Sequence, residues 1–88
     1  MVEQIINDSL GNVVTLNYDA DTDTVTVKNT GVDEDFHVIS RNVDVEDDVI
    51  VIEGTDGEGS WELYSDEDTR GAIKLFWDTN KVDKSIGL

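Results

Sequence analysis

Apolar side chains recur at every second position along most of this chain. The alternation is clearest in five short runs, at 12–18, 24–28, 35–41, 48–53 and 61–64. In the first run, Val14, Leu16 and Tyr18 share one face, and mostly polar residues share the other. Because successive side chains of a strand point to opposite faces of a sheet, this period predicts half-buried β-strands.

Turn-forming residues separate these runs. Asp, Asn, Ser and Gly concentrate at 8–12, 29–31 and 54–59, among other places, and these residue types favour tight turns. Short strands separated by turns about every 8–12 residues are typical of all-β folds built from hairpins. We therefore predict that residues 1–88 form a single acidic, β-rich domain. Its expected architecture is a small antiparallel sandwich or barrel of about six to eight short strands.

The segment 65–78 fits two kinds of element. It opens with a serine and three acids, which is typical of a helix N-terminus. Against a helix, Gly71 in the interior would cost about 1 kcal/mol. Ile73, Leu75 and Trp77 also alternate as they would in a strand. We predict a strand over this segment.

The N-terminal residues 2–7 also fit two elements. Pairing with 12–18 through a turn at 8–11 would make them an edge strand. Val2, Ile5 and Ile6 suit one helical turn equally well. Both possibilities stay open at this point.

Acidic residues dominate the charge of the chain. It carries 21 Asp and Glu residues against six Lys and Arg, a net charge of −15, and residues 31–60 hold ten of these acids and one base. Such a surface repels nucleic acid and anionic lipid, so we expect no direct nucleic-acid binding and no membrane contact. The expected partner is instead the basic surface of a protein, including that of a nucleic-acid-binding enzyme.

Three groups of acids are the candidate partner-binding residues. If 35–41 and 48–53 pair as a hairpin, the first two groups are expected to lie close together, with the third as a second patch. Their role would be electrostatic and shared among many carboxylates. The groups are Asp33, Glu34 and Asp35; Asp44, Glu46, Asp47 and Asp48; and Asp66, Glu67 and Asp68.

A calcium site is a weak candidate at Asp19, Asp21 and Asp23, because calcium prefers several carboxylate oxygens. Counted from Asp19, an EF-hand loop needs Gly at its sixth position and Glu at its twelfth. Thr24 and Thr30 stand there. We expect the three aspartates to act as solvated turn formers, and we predict no cofactor.

Side chains suited to catalysis are scarce. The chain has no cysteine and one histidine, His37, and no nucleophile motif accompanies that histidine. We therefore predict that the protein is not an enzyme and that His37 is an ordinary strand residue. The aromatic side chains are predicted to belong to the core: Tyr18, Trp61, Tyr64, Phe76 and Trp77.

The function we expect is binding without catalysis. The leading hypothesis is an acidic inhibitor or nucleic-acid mimic that occupies a basic groove of a larger protein, as some virus-encoded antagonists do. The first alternative is a small structural or assembly module, such as a virion or appendage component adapted to salt, and the second is a calcium-binding β domain. The start of the sequence lacks a secretory signal pattern, and no apolar run is long enough to span a membrane. We therefore expect a location in the cytoplasm or in a virion.

Overall fold

Six β-strands and a C-terminal helix account for most of the residues that the computed structural model describes, which are 2–31, 35–55, 57 and 59–82. A π-helical turn, Asp78–Val82, follows the helix directly. The strands are β1 (Val2–Asn7), β2 (Val13–Asp19), β3 (Thr24–Thr30), β4 (Phe36–Val45), β5 (Val49–Gly54) and β6 (Ser60–Tyr64), and the helix is α1 (Glu67–Trp77).

The strands form one antiparallel sheet in which every strand pairs with its neighbours in sequence. This arrangement confirms the predicted all-β class, the construction from hairpins and the expected number of strands. The sheet is open, with β1 at one edge and β6 at the other. Residues from α1 complete the hydrophobic core, so a helix takes the place that a second sheet would have in a sandwich.

The predicted alternation decides which residues enter the core. Val14 and Leu16 of β2 are fully buried, and so are Val27 of β3 and the isoleucines of β5. Tyr18, Phe76 and Trp77 are buried as predicted, and Trp61 is partly buried against Phe36, at 6.2 Å between ring centroids. The core prediction was wrong for Tyr64, which is 63% exposed. Its neighbour Leu63 takes the inward position of β6, and alternation turns Tyr64 outward.

A β-bulge changes the pattern within β4. The inward residues are Phe36, Val38 and Ser40 before the irregularity between Ser40 and Asn42, and the next inward residue is Val43. One extra residue therefore moves the inward series from even to odd positions. Bulges also bend a strand and increase its twist.

The strand predicted over 65–78 was wrong, because this segment forms α1. The side chain of Asp66 accepts a hydrogen bond from the Thr69 amide at 2.7 Å, which satisfies a donor that a helix start leaves free. The buried residues Thr69, Ile73, Phe76 and Trp77 lie on one helical face. Gly71 lies on the exposed side, and no atom outside the helix backbone lies within 4 Å of the position its Cβ would take. Burial of an apolar face therefore outweighs the low helix propensity of one glycine. No helix among the described residues has both the length and the apolar composition to cross a membrane.

Residues 2–7 form the edge strand β1, which decides between the two possibilities left open by the sequence. The β1–β2 turn has Gly11 at φ 99°, and the Gly11 amide donates to the Asp8 carbonyl at 3.2 Å. A positive φ at this point of a short hairpin loop favours glycine.

The sheet curls so that this turn meets the end of β6. The Asn12 side-chain amide donates to the Tyr64 carbonyl at 3.0 Å, and the Asp66 amide donates to the Asp8 carboxylate at 3.2 Å. At its other end, the helical segment reaches the β2–β3 turn, where Lys81 lies 3.2 Å from the Asp23 carboxylate. The two ends of the helical segment thus reach the two turns that flank β2, and Lys74 within α1 lies 3.5 Å from the Val43 carbonyl of β4.

Candidate functional site

The β4–β5 turn presents one group of predicted binding acids to solvent. The Glu46 amide donates to the Val49 carbonyl at 2.9 Å and closes the turn. The side chains of Glu46, Asp47 and Asp48 are exposed, as is that of Asp44 at the end of β4. A tight turn with no apolar residue at its tip leaves these carboxylates in water.

The start of α1 presents the second group. Glu67 and Asp68 occupy the first helical turn and are exposed. Carboxylates are favoured there because the free amides and the helix dipole give a helix N-terminus partial positive charge. The concentration of acids at 66–68 in the sequence is therefore explained by the start of a helix.

The fold brings these two groups together. Val49 pairs with Tyr64 across β5 and β6, so the end of the acidic turn lies beside the start of the helix. Arg70 joins the two segments, since one guanidinium nitrogen donates to the Asp48 carbonyl at 3.3 Å and also to the Ser65 carbonyl. We call the combined patch the acidic surface, which comprises Asp44, Glu46, Asp47, Asp48, Asp66, Glu67 and Asp68.

Asp35, the described member of the first acidic group, does not lie near the second group as predicted. Strands β4 and β5 do pair as a hairpin, but Asp35 precedes β4 whereas Asp44 lies near its far end. At about 3.3 Å per residue, these two positions are roughly 30 Å apart along the strand. Asp35 is exposed and accepts a hydrogen bond from the Gly31 amide at 3.0 Å. The neighbouring candidates Asp33 and Glu34 lie outside the described residues.

Among the described residues, no basic side chain forms an ion pair with a carboxylate of the acidic surface. Within the described part of the chain, the three ion pairs join Arg41 to Glu53, Lys74 to Asp78 and Lys81 to Asp23. Arg70 binds backbone carbonyls. In the same part of the chain, five of these acids have side chains without a hydrogen bond or ion pair: Glu46, Asp47, Asp48, Glu67 and Asp68. The acidic surface therefore combines seven carboxylates with the single guanidinium of Arg70, and its net charge is strongly negative.

Raising monovalent salt from about 10 mM to about 1 M is expected to raise the Tm, because the Debye length falls from about 30 Å to about 3 Å and the carboxylates repel one another less. Thermal unfolding followed by circular dichroism measures this. The variant with both Asp47→Lys and Asp48→Lys has a smaller net charge and should gain less. A Tm that stays flat or falls with salt would show that the charges are already compensated.

Asp66 differs from the other acids because its carboxylate holds the helix start in place. Hydrogen bonds from the hydroxyl and amide of Thr69 and the amide and hydroxyl of Ser9 hold the pKa of Asp66 far below its usual value. The Ser9 amide and hydroxyl lie 3.0 and 2.8 Å from the carboxylate. Asp66 thus joins the helix to the β1–β2 turn, and its charge is less available to a partner.

Asp66→Asn is expected to lower the free energy of unfolding at neutral pH, and the difference should shrink as pH falls below about 4. A lowered pKa means that the folded protein stabilises the charged form, so this stability is complete above the usual aspartate pKa and is lost on acidification. Asparagine still caps a helix but has one acceptor oxygen where Asp66 uses two, so the substitution removes both the charge and one set of hydrogen bonds. Urea unfolding at several pH values measures the difference. Asp68→Asn is the matched control, and an equal, pH-independent loss in both variants would contradict this role.

The three aspartates of the β2–β3 turn have structural contacts. Asp19 accepts a hydrogen bond from the Asp21 amide at 2.9 Å, as an Asx turn requires. Asp23 has φ 55° and accepts from the Tyr18 hydroxyl at 2.7 Å, and it also pairs with Lys81. The described residues contain no cluster of three or more acids or histidines arranged to hold a metal ion.

Two exposed residues that lie beside the acidic surface were not identified from the sequence. Glu62 is exposed on β6 and faces Val51, whose other neighbour across the sheet is Asp44. Tyr64 is exposed next to the start of the helix. The alternation in 61–64 was the available signal, since it turns both side chains away from the core. His37 lies exposed on β4, paired with Lys28.

Comparisons with known protein families, with curated proteins and with solved structures found no match to this chain.

Proposed function

We propose that this protein is a non-enzymatic binding protein whose acidic surface occupies a basic groove of a larger protein. The observation that carries the proposal is the cluster of exposed, unpaired carboxylates where the β4–β5 turn meets α1. In its sharpest form, the protein is a nucleic-acid mimic that inhibits a DNA- or RNA-binding enzyme, as virus-encoded antagonists can be. The protein would then bind its partner in the cytoplasm or in a virion.

Charge supports this proposal in two ways. A groove that binds nucleic acid is lined by Lys and Arg, and such residues attract a concentrated patch of carboxylates over a distance of about a Debye length. Complementary charge mainly accelerates association and selects the partner. A protein with a net charge of −15 and an unpaired acidic surface has both the long-range and the local attraction.

An exposed tyrosine supplies the contact that charge alone lacks. Tyr64 is 63% exposed and lies where β6 leads into α1. Tyrosine is favoured among residues that contribute most to the binding free energy of interfaces, because its ring buries a large area. We propose that the carboxylates steer the approach and that Tyr64 packs against the partner beside the groove.

Affinity capture from a cell lysate at low salt, with the wild-type protein as bait, tests the proposal. The control bait carries Asp47→Lys and Asp48→Lys. Mimicry predicts that a protein is retained by the wild type, lost with the control bait and released by added duplex DNA or RNA. A protein retained equally by both baits, and not released by nucleic acid, would exclude this function for the acidic surface.

A second candidate function is a structural or assembly module. It is favoured by the exposed position of β1 at the edge of the sheet, with Val2 and Ile5 at its surface. Strand edges with apolar side chains are templates for pairing with another chain. A calcium-binding role has less support, because Asp23 is held by Lys81 and Tyr18.

A further inference from the structure

The outer side of β1 has a row of backbone groups directed away from β2. The Asp8 amide donates to the Asn12 carbonyl at 2.9 Å, and hydrogen-bonded pairs alternate along an antiparallel ladder. In the register that pairs Ile6 with Val14, the amides and carbonyls of Glu3, Ile5 and Asn7 therefore point outward. No strand among the described residues pairs with this side.

This edge lacks the usual protection against pairing. Natural edge strands carry lysines, prolines or bulges that discourage association. On a chain with a net charge of −15, β1 (VEQIIN) contains a single charged residue, Glu3. Ile5 is 58% exposed at its centre. On the opposite face of the strand, Val2 and Leu75 line a groove of about 510 Å³ between β1 and α1.

We propose that β1 pairs antiparallel with β1 of a second copy of this chain, with Ile5 at the two-fold axis. In this register Glu3 lies opposite Asn7 of the second copy, and the outward residues of both strands form the hydrogen-bonded pairs. Two copies of Ile5 meet on the outer face, and an amide lies opposite each carboxylate. The two sheets then join into one continuous sheet.

The sequence of β1 favours this register over the alternatives. With the axis at Gln4 or Ile6, Ile5 would lie opposite Glu3 or Asn7 instead of a second Ile5. Moving the axis to Glu3 would place two carboxylates directly opposite each other, and like charges in that position are destabilising. Placing it at Asn7 would bring the two β1–β2 turns toward each other. Only the axis at Ile5 combines an apolar centre with polar flanks that complement one another. The strand is therefore complementary to itself, which a C2 interface requires.

Dimerisation through β1 is independent of the proposed function of the acidic surface, and the two respond oppositely to salt. Two copies of the same acidic chain repel each other, so the dimer should tighten as salt rises. Binding to a basic groove should weaken over the same range. Failure of one proposal therefore leaves the other standing.

Light scattering coupled to size exclusion, across protein concentration and salt, measures the dimer. Ile5→Lys places two like charges at the axis and is expected to raise the dimer Kd by at least about tenfold. Ile39→Lys is the matched control, since Ile39 is a strand isoleucine that is 42% exposed but lies on β4. The control should dimerise like the wild type. A monomer at every concentration and salt, or equal loss in both variants, would overturn the proposal.

A cysteine probe tests the register, because the chain has no native cysteine. Hydrogen-bonded residues on antiparallel strands have Cα atoms about 5.5 Å apart, within the range that a disulfide spans. Ile5→Cys is expected to form a disulfide-linked dimer on oxidation with diamide, and much faster than Ile39→Cys. Equal crosslinking of the two variants would contradict an axis at Ile5.

Discussion

Ile73→Ala is expected to lower the free energy of unfolding by about 2–5 kcal/mol, whereas Leu75→Ala should change it by less than about 0.5 kcal/mol. Ile73 is fully buried among the strand residues, so its truncation removes buried methyl groups and leaves a cavity. Leu75 is 66% exposed on the other side of α1. A chain of this length is stabilised by roughly 4–13 kcal/mol in total, so the first change is a large fraction of the whole.

Urea unfolding of the two variants measures the difference. The pair is informative because a strand over 65–78 would place Ile73 and Leu75 on the same face, and both truncations would then cost similar amounts. A helix separates them, because residues two positions apart lie on different sides. Comparable losses in the two variants would contradict the helical packing of this segment.

Reversing two charges of the acidic surface is expected to produce the largest change in partner binding. With Asp47→Lys and Asp48→Lys together, association at low salt should slow by roughly tenfold or more, because steering depends on the field of the whole patch. Neutralisation with Asp47→Asn and Asp48→Asn should have a smaller effect in the same direction. Neither pair should prevent folding, since both side chains are exposed and make no hydrogen bond or ion pair within the described residues.

The matched control neutralises two acids elsewhere. Asp19→Asn and Asp21→Asn remove the same charge from the β2–β3 turn, and asparagine preserves the Asx turn that Asp19 forms. This turn lies near the far end of the helical segment, at Lys81. Stopped-flow association with the captured partner separates the variants. Equal slowing by both neutralised pairs would mean that only the net charge matters and that the acidic surface is no specific site.

Local periodicity was sufficient to predict the sheet. The alternation of Val14, Leu16 and Val27 with polar residues determines which face each strand buries, and the sheet follows strand by strand because each hairpin connects neighbours. The same reasoning failed at 65–78. There the pattern Ile73, Phe76, Trp77 competes with the pattern Ile73, Leu75, Trp77, and only packing against the sheet decides between them.

The composition of the acidic surface could be predicted from the sequence, but its arrangement could not. Acids at Asp47 and Asp68 belong to separate segments, and their meeting depends on the pairing of β5 with β6 and on Arg70. The hairpin argument placed Asp35 beside Asp47 because it considered the pairing of β4 and β5 without the length of β4. The ten residues of β4 separate Asp35 from Asp47.

The salt dependence of the association rate tests the central claim most directly. Kinetics of the wild-type protein with its captured partner would be measured from about 10 mM to about 1 M salt, alongside Tyr64→Ala. We expect the wild-type association rate to fall steeply with salt, and we expect Tyr64→Ala to keep that dependence while dissociating faster. Association that does not depend on salt, with affinity lost in Tyr64→Ala and retained after charge reversal at Asp47 and Asp48, would identify an apolar interface and contradict nucleic-acid mimicry.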